Sequence, residues 1–232
     1  MNTEQAFPEV SDTVVDHARG QALKALQDSG TPKRVAQFYN PETNYAGATF
    51  AQLEPRDQTA VTAADLLATT TLSVDIPPRA IRRFLEDPDT SSHLSTALSG
   101  LPSSGLEETT TEDFRAMCSF YDLVKESLAR AGTRTSNPWV TASKITARKR
   151  PDLFPVRDSV VCKFLGINRL GDRAKDWMVF RSLLRDEEVT TRLDQLPELT
   201  QNEHPSGTLP LDSQRLRLLD AVLWRYAGET AY

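Results

Sequence analysis

The chain is poor in the residues that most often announce chemistry. Only Cys118 and Cys162 occur in 232 residues, far apart and each without a Cys or His at ligand spacing, so neither a disulfide framework nor a zinc or iron–sulfur site can be read from them. Both thiols are expected to be small buried residues in a reducing compartment. The three histidines, His17, His93 and His204, are scattered without paired spacing. No metal and no cofactor are expected. No run approaches the roughly 18 apolar residues of a spanning helix, and the early residues include Glu4, Glu9, Asp12 and Asp16 where an export signal would place a basic start and an apolar stretch. A cytoplasmic protein with no membrane partner is the expectation. The alternating pattern of a half-buried strand and any internal repeat are also missing.

What is present is helical periodicity. Apolar residues make up 39% and charged residues 25% of the chain, ordinary for a folded protein if lean in apolar content. Val15, Ala18, Ala22 and Leu26 recur at three- and four-residue steps ahead of Ser29-Gly30, and Pro32 can open a second helix. Tyr39 to Gly47 reads as a loop. Thr62 with Asp65 three positions on resembles an N-cap with an acidic first turn, before a helix expected to bury Leu66, Leu67 and Leu72. Asp75-Ile-Pro-Pro78 stops it and starts the next, Arg79 to Glu86, and helical signals return at Ser91 to Leu98. Phe114, Met117, Tyr121, Val124 and Leu128 form one stripe that runs to Gly132. Asp172 caps a helix carrying Trp177, Phe180 and Leu184, and Ser213 caps one with Leu216, Leu219, Leu223 and Tyr226 that Gly228 ends.

An all-α fold follows, with two lobes sharing a cleft favoured over one large domain. The divisions are a flexible N-terminus at 1–12, a helical lobe at 13–100, a loop or linker at 101–111 rich in Ser, Thr, Gly and acids, and a second lobe at 112–232. Charge is unevenly spread. From Arg134 to Arg185 there are twelve Lys or Arg against four Asp, a segment at +8 that leaves −13 on the rest of a chain whose net charge is −5. Such asymmetry is the pattern of a face that meets an anion, and equally of helices solvated by charge.

Within that segment lies Ser136-Asn-Pro-Trp-Val-Thr-Ala-Ser-Lys-Ile-Thr-Ala-Arg-Lys-Arg-Pro-Asp-Leu-Phe-Pro-Val-Arg-Asp158. Ser136 or Asn137 can cap, Pro138 can sit at the first helical position, and Arg148, Lys149 and Arg150 fall at the helix end that suits cations. Pro151 ends this helix, and a connector containing Pro155 delivers Asp158 to the start of another, Ser159 to Leu165, closed by Gly166. Asp158 before Ser-Val-Val is a good N-cap whatever else it does.

This order of helix, basic end, Pro-containing connector and Asp at a helix start resembles the helix-hairpin-helix DNA glycosylases. Aligning Thr141-Ala142 with the Thr-Ala that follows the family's hairpin sets Asp158, without a gap, at the position of its catalytic Asp. The resemblance implies that Asp158 stabilises the sugar cation or activates water, that duplex DNA is the partner, and that a flipped base enters a pocket between lobes. It also implies a degenerate hairpin, since Ser136 and Pro138 stand where the family has glycines. Val140 stands where bifunctional members carry their Lys, so Schiff-base chemistry through that position is lost. Phosphates would be held by Lys144, Arg148, Lys149, Arg150 and Arg157, with Lys144 one turn before Arg148 on the same face. Tyr45, in its Gly-containing loop, is the candidate for reaching a ligand.

A second resemblance covers about 38 to 227. Tyr45-Ala-Gly-Ala-Thr-Phe50, Thr62-Ala-Ala-Asp-Leu-Leu67, Leu72-Ser-Val-Asp-Ile-Pro77, Thr141-Ala-Ser-Lys-Ile145, Ala147-Arg-Lys-Arg-Pro151, Pro155-Val-Arg-Asp158 and Leu219-Asp-Ala-Val-Leu-Trp224 look like an uncharacterised actinobacterial family, which implies membership but no activity. Two functions from different classes therefore stand: a DNA-binding, monofunctional glycosylase-like enzyme, and a non-catalytic helical interaction or scaffold protein that kept the fold. An open cleft with Asp158 at its floor favours the first. A buried Asp158 that does no more than cap favours the second.

Overall fold

The computed structural model describes residues 7–129, 138–204 and 208–230. Twelve α-helices and one 3-10 turn, and no strand, make up the regular structure among them. No helix among the described residues is long and apolar enough to cross a membrane. In chain order the helices are α1 (Asp12–Gln27), α2 (Thr31–Tyr39), α3 (Gly47–Gln52), α4 (Ala63–Thr70), α5 (Pro78–Glu86) and α6 (Pro88–Ser99). They continue with α7 (Thr111–Leu128), α8 (Trp139–Lys149), α9 (Ser159–Phe164), α10 (Arg173–Arg185), α11 (Glu187–Asn202) and α12 (Arg215–Thr230).

The local causes are those the sequence offers. Thr62 and Asp65 form a reciprocal capping box at α4, and Thr110 and Asp113 another at α7, each satisfying backbone N–H groups that a helix start leaves open. Asp172 and Asp186 cap α10 and α11. Gly166, at φ +75, turns the chain out of α9 in the left-handed region. Leu67 is a correction: it is 59% exposed while Leu66 is buried, because the capping box rotates α4 so that Asp65, Leu66, Ala68 and Thr69 face inward. Helix α12 runs through Gly228 to Thr230, the glycine costing only helix propensity there. The caps expected at Ser136 and Asn137, and the stop expected at Gly132, lie outside the described residues.

One buried cluster runs from Ala18 to Tyr226, and α1 packs on α10, α11 and α12, so the segments expected as separate lobes share a core. At its centre Trp177 meets Phe114, Tyr121 and Phe154 edge-on, with ring centroids 5.8, 5.6 and 5.4 Å apart. The stretch at 101–111 is firmly tied. Leu106 is fully buried and donates its N–H to the Asp152 carbonyl, Arg181 donates to the Thr109 carbonyl and Arg185 to that of Glu107.

Candidate functional site: an aromatic-walled acidic pocket

The cations of the 134–185 segment do not form the expected phosphate-binding face. Arg148 and Lys149 are buried and converge on Asp65 of α4, at 3.2 Å from Nε and 2.9 Å from Nζ. Arg148 also donates to the carbonyls of Phe50, Ala51 and Leu53, and Lys149 to those of Asp57 and Ala60. Their length, which would let them reach a phosphate from the end of a solvated helix, instead carries them across to the end of α3 and the loop that follows it. Arg157 is buried against Asp176, with its guanidinium 5.0 Å from the Trp139 ring centroid. Burial pushes Asp176 up while Arg157 pulls it down. Arg150 pairs with Asp152 and donates to the Pro102 carbonyl. Much of the segment's positive charge is thus paired or bonded within the protein, and of its described cations only Lys163, Arg169 and Lys175 have side chains with neither an ion pair nor a hydrogen bond among the described residues.

Asp158 has a different setting. Ser143 of α8 donates its hydroxyl to the Pro155 carbonyl (3.0 Å) and accepts from the Arg157 amide (2.7 Å). From the other side Arg217 of α12 donates to the carbonyls of Pro151 and Phe154, and Asp220 accepts from the Val156 amide at 3.0 Å. The connector is clamped from both sides, which fixes where Asp158 emerges. Its Oδ1 accepts from the Val160 amide at 2.8 Å and caps α9; Oδ2 lies 3.8 Å from Lys144 Nζ. Lys144, buried on α8, donates to the Leu72 carbonyl at 2.6 Å, and desolvation lowers its pKa against the pull of Asp158.

Asp158 and Lys144 line a pocket of about 390 Å³. One wall is aromatic: Phe38, Tyr45 and Trp224 stand in mutual contact, with centroids 5.7 to 6.4 Å apart. Tyr45 is held by Arg225, which lies 4.1 Å from its ring centroid and donates to its hydroxyl at 2.6 Å. Gly47 belongs to the same wall, and a Cβ there would sit 2.5 Å from the Phe38 carbonyl oxygen, so only glycine lets α3 approach α2 this closely. The floor is acidic, formed by Asp212, which accepts from the Tyr39 hydroxyl at 2.8 Å, and by Asp220, paired with Arg217. Burial raises both carboxyls against the pull of Arg217, Asp220 to about 7.

Of the residues singled out from sequence, Asp158, Lys144 and Tyr45 come together here, whereas Arg148, Lys149, Arg150 and Arg157 are occupied elsewhere. Sequence reasoning missed Asp212, Arg217, Asp220, Phe38 and Trp224 as site residues. One signal was available: Asp220 interrupts the apolar run Leu218-Leu219-Asp-Ala-Val-Leu223, where an acid has no reason to sit unless it is used. Among the described residues no group of three or more His, Cys, Asp or Glu could hold a metal ion.

Fold and site together define an all-helical protein with an acidic, aromatic-walled pocket. Residues 32–227 match a family described as a family of unknown function (DUF6308), and the chain belongs to that family. Neither a curated protein nor a solved structure is matched.

Proposed function

We propose that the chain binds a planar, nucleobase-like group in this pocket and cleaves the glycosidic bond that carries it, with Asp158 stabilising the positive charge that develops on the sugar or activating the attacking water. The observation that carries this reading is the position of Asp158. Its carboxylate is pinned by a clamped connector and lines, together with three aromatic rings, a cavity of the size that holds small ligands. Val140 also lines the pocket, so the chemistry through that position is monofunctional.

Duplex DNA as the carrier of the base belongs to the same proposal. Its phosphates would have to be met by Lys163, Arg169 and Lys175 instead of the cations enclosed by α4 and the 50–60 loop. The non-catalytic scaffold reading rests on one observation, the bond from the Val160 amide to Asp158. The experiment is to incubate the protein with free nucleosides and with lesion-bearing duplexes, then score released base and alkali-labile sites. Base release by the wild type, abolished in Asp158→Asn and without a borohydride-trapped adduct, is the expected result. No release from any substrate, together with no binding of free bases, would overturn the enzyme reading in favour of the scaffold.

A further inference from the structure

The charged groups of the pocket divide unevenly: two cations, Lys144 and Arg217, against three carboxylates, Asp158, Asp212 and Asp220. The strong donors already have protein acceptors. Lys144 Nζ is taken by the Leu72 carbonyl, Arg217 by the carbonyls of Pro151 and Phe154 and by Asp220, and the Tyr39 hydroxyl by Asp212. The donors left over on the lining side chains are weaker and neutral, such as the Asn44 amide and the hydroxyls of Ser73 and Ser159.

Acceptors remain in surplus. Asp220 lines the pocket and is 6% exposed, and its Oδ1, itself shielded from water, has no hydrogen-bond partner among the described residues. Asp158 Oδ2 has Lys144 only at 3.8 Å, an ion-pair distance too long for a hydrogen bond. A carboxylate oxygen left without a donor in a low-dielectric site is an unfavourable arrangement that folded proteins rarely keep without a use. The same pocket is lined by Phe38, Tyr45 and Trp224, whose ring faces carry negative potential and attract cations.

Resting on the reading of the pocket as a nucleobase-like site, we infer that it selects a planar group that is cationic or rich in N–H donors, an amidinium or amino-substituted heterocycle, whose donors meet Asp220 while its ring packs against Tyr45 and Trp224 and Asp158 stays free for the sugar. The floor supplies what such a group lacks, acceptors and negative charge. It disfavours a ligand that brings its own carboxylate or phosphate to that end, because burial already raises Asp212 and Asp220 toward their neutral forms and a further anion adds to that cost, whereas a cation there favours their ionised forms. Selection here comes from unpaired protein acceptors, which penalise an isosteric ligand without donors more than a purely apolar pocket could.

Three probes of one shape separate the possibilities: benzamidinium, benzamide and benzoate, titrated into the full chain by calorimetry and ligand-observed NMR. Benzamidinium is expected to bind at least about tenfold tighter than benzamide, with benzoate weakest, a difference of about 1.4 kcal/mol. Asp220→Asn is expected to bring benzamidinium down toward benzamide while leaving benzamide unchanged. Should Asp220→Asn fail to fold, Asp158→Asn, which keeps a good cap, removes another negative charge from the pocket lining and is expected to lower the preference for benzamidinium over benzamide in the same direction. Equal binding of benzamide or benzoate, or a preference untouched in the folded variants, would overturn the inference and leave the nucleobase reading standing. Absence of binding by all three probes and by free nucleobases would overturn both.

Discussion

Replacing Asp65 with Asn removes the one negative charge at the centre of the network that holds α8 against α4. In the wild type the carboxylate, 2% exposed, receives Arg148, Lys149, the Thr62 amide at 3.0 Å and the Thr62 hydroxyl at 3.1 Å. Asn can still accept from Thr62, but its NH2 group adds a donor beside two buried cations that then have only backbone carbonyls. Breaking a buried charged network from one side costs about 3–5 kcal/mol, because the uncompensated charges stay buried. For a domain of this size each kcal/mol shifts Tm by about 2–4 °C, so Asp65→Asn should melt roughly 6–20 °C lower. Urea unfolding followed by far-UV circular dichroism, with an unchanged m-value, is the assay. A loss below about 1 kcal/mol would refute the argument that Arg148 and Lys149 are interior ions. A phosphate-contacting role predicts the reverse pattern: Arg148→Ala and Lys149→Ala would be stable and lose DNA affinity at low salt.

Three further outcomes follow from the same geometry. Asp158→Asn should keep the wild-type melting curve, since Asn caps about as well as Asp, while base release falls by orders of magnitude; Asp158→Ala should cost about 1 kcal/mol, and full turnover in Asp158→Asn would show that the carboxylate is not the reacting group. Gly47→Ala places a Cβ 2.5 Å from a backbone oxygen of α2, so it should destabilise by about 1–3 kcal/mol and weaken ligand binding by displacing Phe38, whereas a variant with unchanged stability and affinity would contradict the close packing of α2 and α3. Asp220 is pushed up to about 7 by burial, so the folded state holds a proton that the unfolded chain releases near its reference value of about 3.9; its contribution to stability is therefore lost as pH rises from about 4 to 7 and flat above, and Asp220→Asn should flatten that part of the stability–pH curve, an identical slope in both proteins counting against the assignment.

The helical architecture was legible because its signals are local. Capping acids at Asp65, Asp158 and Asp172, the glycine after α9 and the proline opening α5 each act within a few residues of where they stand. Less was readable where tertiary contacts decide. Helix α11 passed unnoticed because Pro197 lies inside it and its first turn, Glu187 and Glu188, reads as solvated charge. The basic segment misled for a physical reason: a row of cations looks the same in sequence whether it faces solvent or a buried Asp 83 residues away. Tyr45, Lys144 and Asp158 were found one by one. Their convergence with Asp212 and Asp220 needed the packing of α2, α8 and α12, to which no spacing in the chain points.

The pocket of Asp158, Tyr45 and Trp224 is proposed to receive a planar ligand. Amide and indole N–H shifts of the isotopically labelled protein, followed during titration with free nucleobases and nucleosides, test it most directly. Saturable shifts are expected, confined to Tyr45 to Phe50, Leu72 to Val74, Asp158 to Val161 and the Asp220 to Trp224 turn, including the Trp224 indole. Shifts centred on Trp139, Lys163 and Arg173, or none with any base, would contradict it.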